Sequence, residues 1–436
     1  MTTLQPTPHA NAFPHPASYY VATARGLEPQ PPLDGDARCD VCVIGAGYTG
    51  ISTALHLAER GYKVVVLEAQ RVGWGASGRN GGQLSGGQRI DPEAMAKIVG
   101  AERARQLWDL GEEAKNTVKQ RIARHGIDCD LKPGIIHAGF KPQHGKEMQE
   151  HARYLRDDYG YAHIRPLSRE ELRAIVASDL YHGGAYDADA AHLHPLNYVL
   201  GLARAAREAG ALIHEMTPAQ QIVRRNGKPV VHTAQGDVTA DFVVLACNGH
   251  LGGLEPRIAS KIMPINNFII ATEPLGAERA RALIANDAAV ADSKYVIDYY
   301  RLSADGRMLF GGGESYSQNY PADIAGLVRK CMLRVFPQLA DVKIDYAWGG
   351  KVAITLNRLP AFGRLDGDVY YAMGFSGQGV ALTTLAGKAV AEAIAGQAER
   401  FDLLASIPIP RFPGGTLLRW PSLVAGMLYY SLLDRL

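Results

Sequence analysis

The chain has 436 residues, too many for one small core, so two intertwined or successive domains are expected. Hydrophobic residues make up 47% and charged residues 21%, as in an ordinary folded protein. Lys+Arg number 46 and Asp+Glu 44, and a net charge of +2 excludes the strong field of a nucleic-acid binder or of a protein drawn to an anionic membrane.

Residues 1–34, the main part of a Pro-rich polar stretch, read as an arm packed on the body. No basic segment followed by a long apolar core occurs in 1–18, so no secretory signal is expected. A short buried strand is expected over 39–44. A helix follows over 51–60, with Ile51, Ala54, Leu55 and Ala58 on one face and Gly61 as its stop. The apolar run 63–68 then reads as a second strand of parallel type, completing one βαβ unit. Next come a Gly-rich stretch over 73–87, helix over 92–125, a strand with a Pro-Gly turn over 131–140, and mostly helix over 154–178. A helix is expected over 197–210. Short strands are expected at 211–215, 222–224, 230–233 and 242–246, and longer ones at 261–273 and 295–312. The chain then returns to a strand at 369–373, a Gly-rich turn and a helix over 380–395. The apolar tail 417–433, interrupted by Arg419 and Pro421, is expected to pack on the body rather than lie on a membrane. No run of about 18 uncharged apolar residues exists, so no spanning segment is expected.

The five cysteines, Cys39, Cys42, Cys129, Cys247 and Cys331, are scattered and form no disulfide framework, as expected of a chain in a reducing cytoplasm. Cys39 and Cys42 lack a second pair to complete a zinc site. His192 and His194 would share one face of an extended segment, but no third ligand is evident, so no metal is expected.

Three motifs carry chemistry. Gly45-x-Gly47-x-x-Gly50 follows the first strand and opens the helix, with Tyr48 and Thr49 at its start. The glycines serve the tight turn, the close approach of a pyrophosphate and the packing of helix on strand. Phosphates then meet free N–H groups and the positive helix end. Glu68, followed by Ala69, closes the second strand, where a carboxylate accepts hydrogen bonds from an adenosine ribose. The second motif holds Gly75, Ala76, Ser77, Gly78, Arg79, Asn80, Gly81, Gly82, Gln83 and Leu84. A nicotinamide enzyme has no need of such a stretch there, whereas an isoalloxazine reaches past the pyrophosphate and small residues let backbone donors close on its edge. The third motif is Gly374, Phe375, Ser376, Gly377, Gln378 and Gly379 between a strand and a helix, a helix start suited to the N1–C2 carbonyl edge of a flavin. The expected cofactor is therefore FAD.

A fourth constellation combines Tyr299, Tyr300 and Arg301 with Trp348 and Arg358. Aromatic rings hold an alkylammonium, and an arginine fork clamps a carboxylate. Arg301 or Arg358 is expected to pair a distal substrate carboxylate, Tyr300 and Trp348 to flank the chain, and His194 to accept a proton.

With these residues assembled, the sequence resembles the D-amino-acid-oxidase-like superfamily of FAD enzymes. Within it the chain looks most like the subgroup that oxidises gamma-glutamylputrescine. The likeness runs nearly end to end, through Ser18-Tyr19-Tyr20, the Cys39–Gly45 and Gly75–Leu84 segments, Ile127-Asp128-Cys129-Asp130, His192–Leu196, Asp298–Leu302, Phe336–Leu339, Lys343–Tyr346 and Phe412–Gly415.

The resemblance implies an α/β fold of glutathione-reductase-like two-domain architecture. A Rossmann-type FAD domain would be built from 35–90, 190–258 and 346–400, and a mixed-sheet α+β substrate domain from 91–189 and 259–345, with a tail over 401–436. It also implies that a neutral amine passes hydride to flavin N5, that the imine hydrolyses to aldehyde and ammonia, and that oxygen is reduced to hydrogen peroxide. The amine's pKa lies near that of Lys, so an apolar pocket favours the neutral form.

The sequence departs from relatives that hold FAD covalently through a cysteine and use a lysine for oxygen. No Lys stands in 307–311, and Cys331 lies in a helical context away from the Gly-rich turns. Non-covalent FAD is expected, and a quinone stays open as the acceptor. The alternative is a D-amino-acid or N-methylamino-acid dehydrogenase that reduces a quinone. A monomer or homodimer is expected.

Overall fold

The structure, a computed structural model, describes residues 15–315, 319–421 and 424. The first 14 residues of the expected arm and most of the apolar tail lie outside them.

Two sheets organise the chain. The first has five parallel strands in the order Val369–Met373, Asp237–Leu245, Ala37–Ile44, Val64–Leu67 and Leu212–His214. Ala361–Leu365 adds antiparallel at one edge, and the hairpin Gln221–Arg225 with Lys228–His232 leans on Asp237–Leu245. Val41 to Ile44 and Val64 to Leu67 are buried throughout. Continuous apolar runs of this kind suit a sheet covered on both faces. The helices Tyr48–Ala58, Pro195–Glu208 and Val380–Ile394 cover one face. At Gly387 a Cβ would come 2.5 Å from Ser52 Cβ, so only glycine lets two of these helices lie this close.

The second sheet is mixed and runs Ile344–Ile354, Met263–Thr272, Met308–Ser315, Tyr299–Leu302, Ala289–Asp292, Lys132–Ala138, Gly184–His192 and Gln83–Leu84, with Ile164–Leu167 beside Gly184–His192. Pairing is antiparallel except between Ala289–Asp292 and Lys132–Ala138. The helix Ile324–Val335 backs it, sharing a core with Phe268, Tyr300, Phe310 and Phe336.

Some expected boundaries move. Residues 346–354 pair within the second sheet, although the expected division placed them with the first. Gln83–Leu84 also belongs to the second sheet. The stretch 154–178 is not mostly helical: the helix Pro142–Asp157 ends inside it, followed by the strand Ile164–Leu167 and the helix Arg169–Ile175. Pro142 and Gly145 mask the start of the first helix, and Pro166 masks a strand of four residues. The expected run 295–312 is a hairpin, Tyr299–Leu302 with Met308–Ser315, turning at Ser303–Arg307.

The described part of the arm, from residue 15, packs on the body. Ser18 caps a short helix, Tyr19–Ala22, and Tyr20 is completely buried. The Tyr20 ring meets Trp348 edge-on at 5.2 Å and His194 at 4.9 Å. Among the described residues no helix is long and apolar enough to cross a membrane.

Candidate active site

The strand Ala37–Ile44 delivers the chain into Gly45 at φ 107°, where a Cβ would stand 2.9 Å from the Ala246 carbonyl oxygen. Gly47 is the N-cap of Tyr48–Ala58, and no acidic residue lies in the first turn. Ser77 Oγ accepts the Tyr48 N–H at 3.0 Å. The rest of this helix start offers amide donors and positive potential at the end of the strand.

Glu68 stands at the end of the next strand. Its Oε2 accepts the Ala46 N–H at 2.7 Å and its Oε1 the Gln70 N–H at 2.9 Å. Burial raises its carboxyl above the usual range and these hydrogen bonds oppose that rise. Ala69 beside it is exposed. Among the described residues, the buried side-chain atoms without a protein partner include Gln70 Oε1, and Nε2 of His15, whose ring feels the charges of Arg79 and Arg71. These features fit FAD. Amides face the place of a pyrophosphate, a carboxylate can accept from ribose hydroxyls, and orphaned polar atoms call for a polar ligand.

The second motif forms a one-turn 3-10 helix at Ala76–Gly78 and then a tight loop. Asn80 Nδ2 donates to the carbonyls of Ala76 at 3.0 Å and Ser77 at 3.1 Å, while its Oδ1 accepts the Gly82 N–H at 2.7 Å. Arg79 lies over the Trp74 ring at 4.5 Å and donates to the Gly349 carbonyl at 3.0 Å. Gly75 faces His250, and a Cβ at Gly81 would strike the Tyr299 ring at 2.6 Å. Gln83 donates to the Val290 carbonyl, and Leu84 is buried.

The third motif follows Val369–Met373. Asn248 Oδ1 accepts the Gly374 N–H at 2.9 Å, Phe375 is buried, and Ser376 sits at φ 52°. Gly377 sits at φ 93°, and nothing lies within 4 Å of the place a Cβ would take, so the turn borders open space. Gly379 then caps Val380–Ile394 without a side chain. Gln378 Nε2 donates to Ser85 Oγ at 2.9 Å and to the Gly86 carbonyl at 3.1 Å, tying the third motif to the segment that leaves the second.

The fourth constellation divides by strand parity. In Tyr299–Leu302 successive side chains face opposite sides. Tyr299 lies against Gly81 and Gly311, and its hydroxyl donates to Asn267 Oδ1. Tyr300 points the other way, stacked on Phe310 at 5.2 Å and hydrogen-bonded to Tyr181. Tyr300 is thus a core residue and not a wall of the site. Sequence reasoning chose it over Tyr299; the glycines at 81 and 311, which leave room for a ring, were the available signal.

Arg301 shares the Tyr299 face, and its Nε and Nη2 donate to the carbonyls of Gly81 and Leu193, both at 2.8 Å, and its Nη1 to Leu302 at 3.3 Å. That makes it a brace of the glycine loop and not a carboxylate clamp. Trp348 is buried, and its Nε1 donates to the Arg79 carbonyl at 3.1 Å, so it packs the loop from behind. Arg358 is half-buried in a turn at φ 63°.

His194 is also otherwise engaged. Its Nδ1 accepts the Asn197 N–H at 3.1 Å, capping Pro195–Glu208, and its Nε2 bonds Thr23 Oγ1 at 3.0 Å. Both ring nitrogens are committed within the protein, which favours a capping role over that of a proton acceptor. His192 Nε2 lies 2.7 Å from the Asp287 carbonyl oxygen, whereas His194 bonds Thr23 and Asn197.

Burial pushes His56, His192 and His194 down to about 3. Unfolded histidine titrates near about 6.5, so below that pH the unfolded chain takes up protons that the folded one refuses. The stability these rings contribute is present above pH about 6.5 and is lost as pH falls toward 3. Urea midpoints should therefore drop between pH 7 and 5, and His194→Asn, which keeps a capping side chain, should flatten that drop. An unchanged slope would mean that His194 titrates normally.

Residues 40–393 match the family described as FAD dependent oxidoreductase (DAO). The chain is 44% identical to gamma-glutamylputrescine oxidoreductase of Escherichia coli (strain K12), over 97% of this chain and 99% of that protein. It is 41% identical to the probable oxidoreductase OrdL of Haemophilus influenzae, over 97% and 98% of the two chains. The crystal structure of glycine oxidase from Geobacillus kaustophilus superposes with a TM-score of 0.73 at 21% identity, covering 87% of this chain and all of the other.

Proposed function

The chain belongs to the FAD-dependent oxidoreductase (DAO) family, and on that premise we propose that it acts on a CH–NH2 group and oxidises the free amine of gamma-glutamylputrescine. The observation that carries this reading is the end-to-end likeness to the E. coli oxidoreductase of that name. The proposed balance is amine, oxygen and water giving aldehyde, ammonia and hydrogen peroxide. FAD, when bound, supplies the two-electron acceptor.

The chain's own residues position that chemistry. Gly45, Gly47, Tyr48, Thr49 and Gly50 would hold the pyrophosphate, Glu68 the ribose, the Gly75–Leu84 loop and the Gly374–Gly379 turn the ring system. Trp348 and Tyr20 exclude water from behind the loop. In this reading Tyr299, packed against Gly81 and Gly311, would flank the alkylamine. With His194 withdrawn as a base, the amine sheds its proton to solvent, helped by the cost of burying a cation.

FAD is held without a covalent bond in this reading. Cys331 sits on Ile324–Val335, its Sγ within 3.3 Å of Arg334 Nη2, and burial pushes its thiol up, away from the thiolate a covalent link needs. Acid precipitation should leave a yellow supernatant.

The deciding experiment is peroxide formation by the purified holoenzyme with gamma-glutamylputrescine, putrescine, sarcosine and D-amino acids. Turnover highest with gamma-glutamylputrescine is expected. Preference for a D-amino acid or for sarcosine would overturn the substrate. Anaerobic bleaching with a quinone-linked dye, without peroxide in air, would overturn the acceptor.

A further inference from the structure

Ser376 lies in the third glycine turn with a basic side chain on each flank. On one side Arg89 Nε donates to its carbonyl oxygen at 3.2 Å. On the other, Ser376 Oγ accepts the Thr355 N–H at 3.2 Å, and Thr355 opens the turn that holds Arg358. Among the described residues neither Arg89 nor Arg358 has a carboxylate within ion-pair distance. The acid whose charge reaches Arg89 is Asp91, an exposed side chain that faces His151. Burial lowers Arg89 below the ordinary arginine range, and the charge of Arg358 lowers it further. Each guanidinium thus has no carboxylate within ion-pair distance among the described residues, and hydrogen bonds through Ser376 and Thr355 tie together the two segments that carry them.

The backbone points the same way. Arg358 holds φ 63°, a region that L side chains rarely adopt and glycine adopts readily. The chain keeps a guanidinium at a position where glycine would fit more easily.

We infer that Arg89 and Arg358 form a subsite for a carboxylate of the substrate, remote from the carbon that is oxidised. The inference rests on the proposed gamma-glutamyl amine and names the residues that distinguish it from a plain diamine. Two arginine forks match a carboxylate's planar pair of oxygens, and binding one supplies the missing negative charge. The turn at Ser376 connects the subsite to the glycine motif.

The test uses the holoenzyme with Arg358→Gly, which relaxes the backbone, and separately Arg89→Gln. Gamma-glutamylputrescine is compared with N-acetylputrescine, which has the same amide and amine but no carboxylate. The KM ratio between them should shift about tenfold or more against the acid in either variant. Equal shifts for both amines would overturn the subsite. Loss of FAD affinity with an unaltered ratio would overturn it too, assigning the arginines to the cofactor. Glutarate supplies an arm independent of turnover: it should perturb the flavin spectrum of the wild type at concentrations that leave Arg358→Gly unmoved. Failure of the wild type to oxidise either amine, with glutarate binding that still needs Arg358, would sink the substrate and keep the subsite. Glutarate binding equal in both proteins would sink the subsite.

Discussion

Gly50→Ala should yield a folded protein that purifies without flavin. A Cβ at this position would lie 1.9 Å from the Gly45 carbonyl oxygen and 3.2 Å from Val43 Cγ1. The first of these is backbone and cannot rotate away. The start of Tyr48–Ala58 must lift off the strand, and its amide donors move away from the place of the phosphates. Overpacking of this kind costs about 1–3 kcal/mol, little enough for a chain of this size to stay folded. A phosphate cradle depends on amides held to within a fraction of an ångström, so FAD retention suffers far more than the fold. Gly61→Ala is the control. It too holds positive φ, 85°, but nothing lies within 4 Å of its Cβ, so the cost is only about 1 kcal/mol of backbone strain. Absorbance at the flavin bands relative to protein, with circular dichroism for the fold, decides the matter. Gly50→Ala carrying a full complement of FAD would mean that the phosphates are not held at this helix.

The comparison of Gly50 with Tyr300 shows which parts of the site a sequence can reveal. Gly45, Gly47 and Gly50 declare themselves because a strand whose last four residues are buried precedes them and a helix follows, and the spacing has one geometric solution. The second buried strand and its terminal Glu68 were legible for the same reason. In Tyr299-Tyr300-Arg301 the period of two is equally plain, but its phase is not: either face could have been the site. Phase is set by the neighbouring strand, where Gly311 and Phe310 decide which side accepts a ring and which side is core. His194 was misread because a helix N-cap and a general base look alike in a string of letters. The arm's Tyr20 gave no periodic signal, since a single turn of helix has none, although it is completely buried between Trp348 and His194. Arg89 was passed over as one basic residue among many. That no carboxylate lies within ion-pair distance of it among the described residues is a property of the folded chain alone.

Arg301→Lys should lower stability sharply and should not discriminate between substrates. Arg301 is a buried cation with no carboxylate within ion-pair distance among the described residues. It is held by the carbonyl oxygens of Gly81, Leu193 and Leu302 and lies 3.3 Å from the Tyr20 hydroxyl. These groups come from the glycine loop, the approach to Pro195–Glu208, the strand itself and the arm. A guanidinium reaches them because its donors fan out in a plane; an ammonium at the end of a lysine chain can meet one or two at most. Hydrogen bonds to a charged donor contribute about 1.5–3 kcal/mol each, and a buried ammonium left short of acceptors adds its own desolvation cost. A loss of about 3 kcal/mol or more is expected, read as a fall of several degrees in Tm, with earlier release of FAD as Gly81 and Gly82 loosen. KM for gamma-glutamylputrescine and for N-acetylputrescine should then move together. A variant with unchanged Tm that loses affinity for the acid-bearing amine alone would return the carboxylate to Arg301 and take it away from Arg89 and Arg358. The two arginine experiments therefore read against each other, and each names the result that would transfer the role to the other side of the glycine loop.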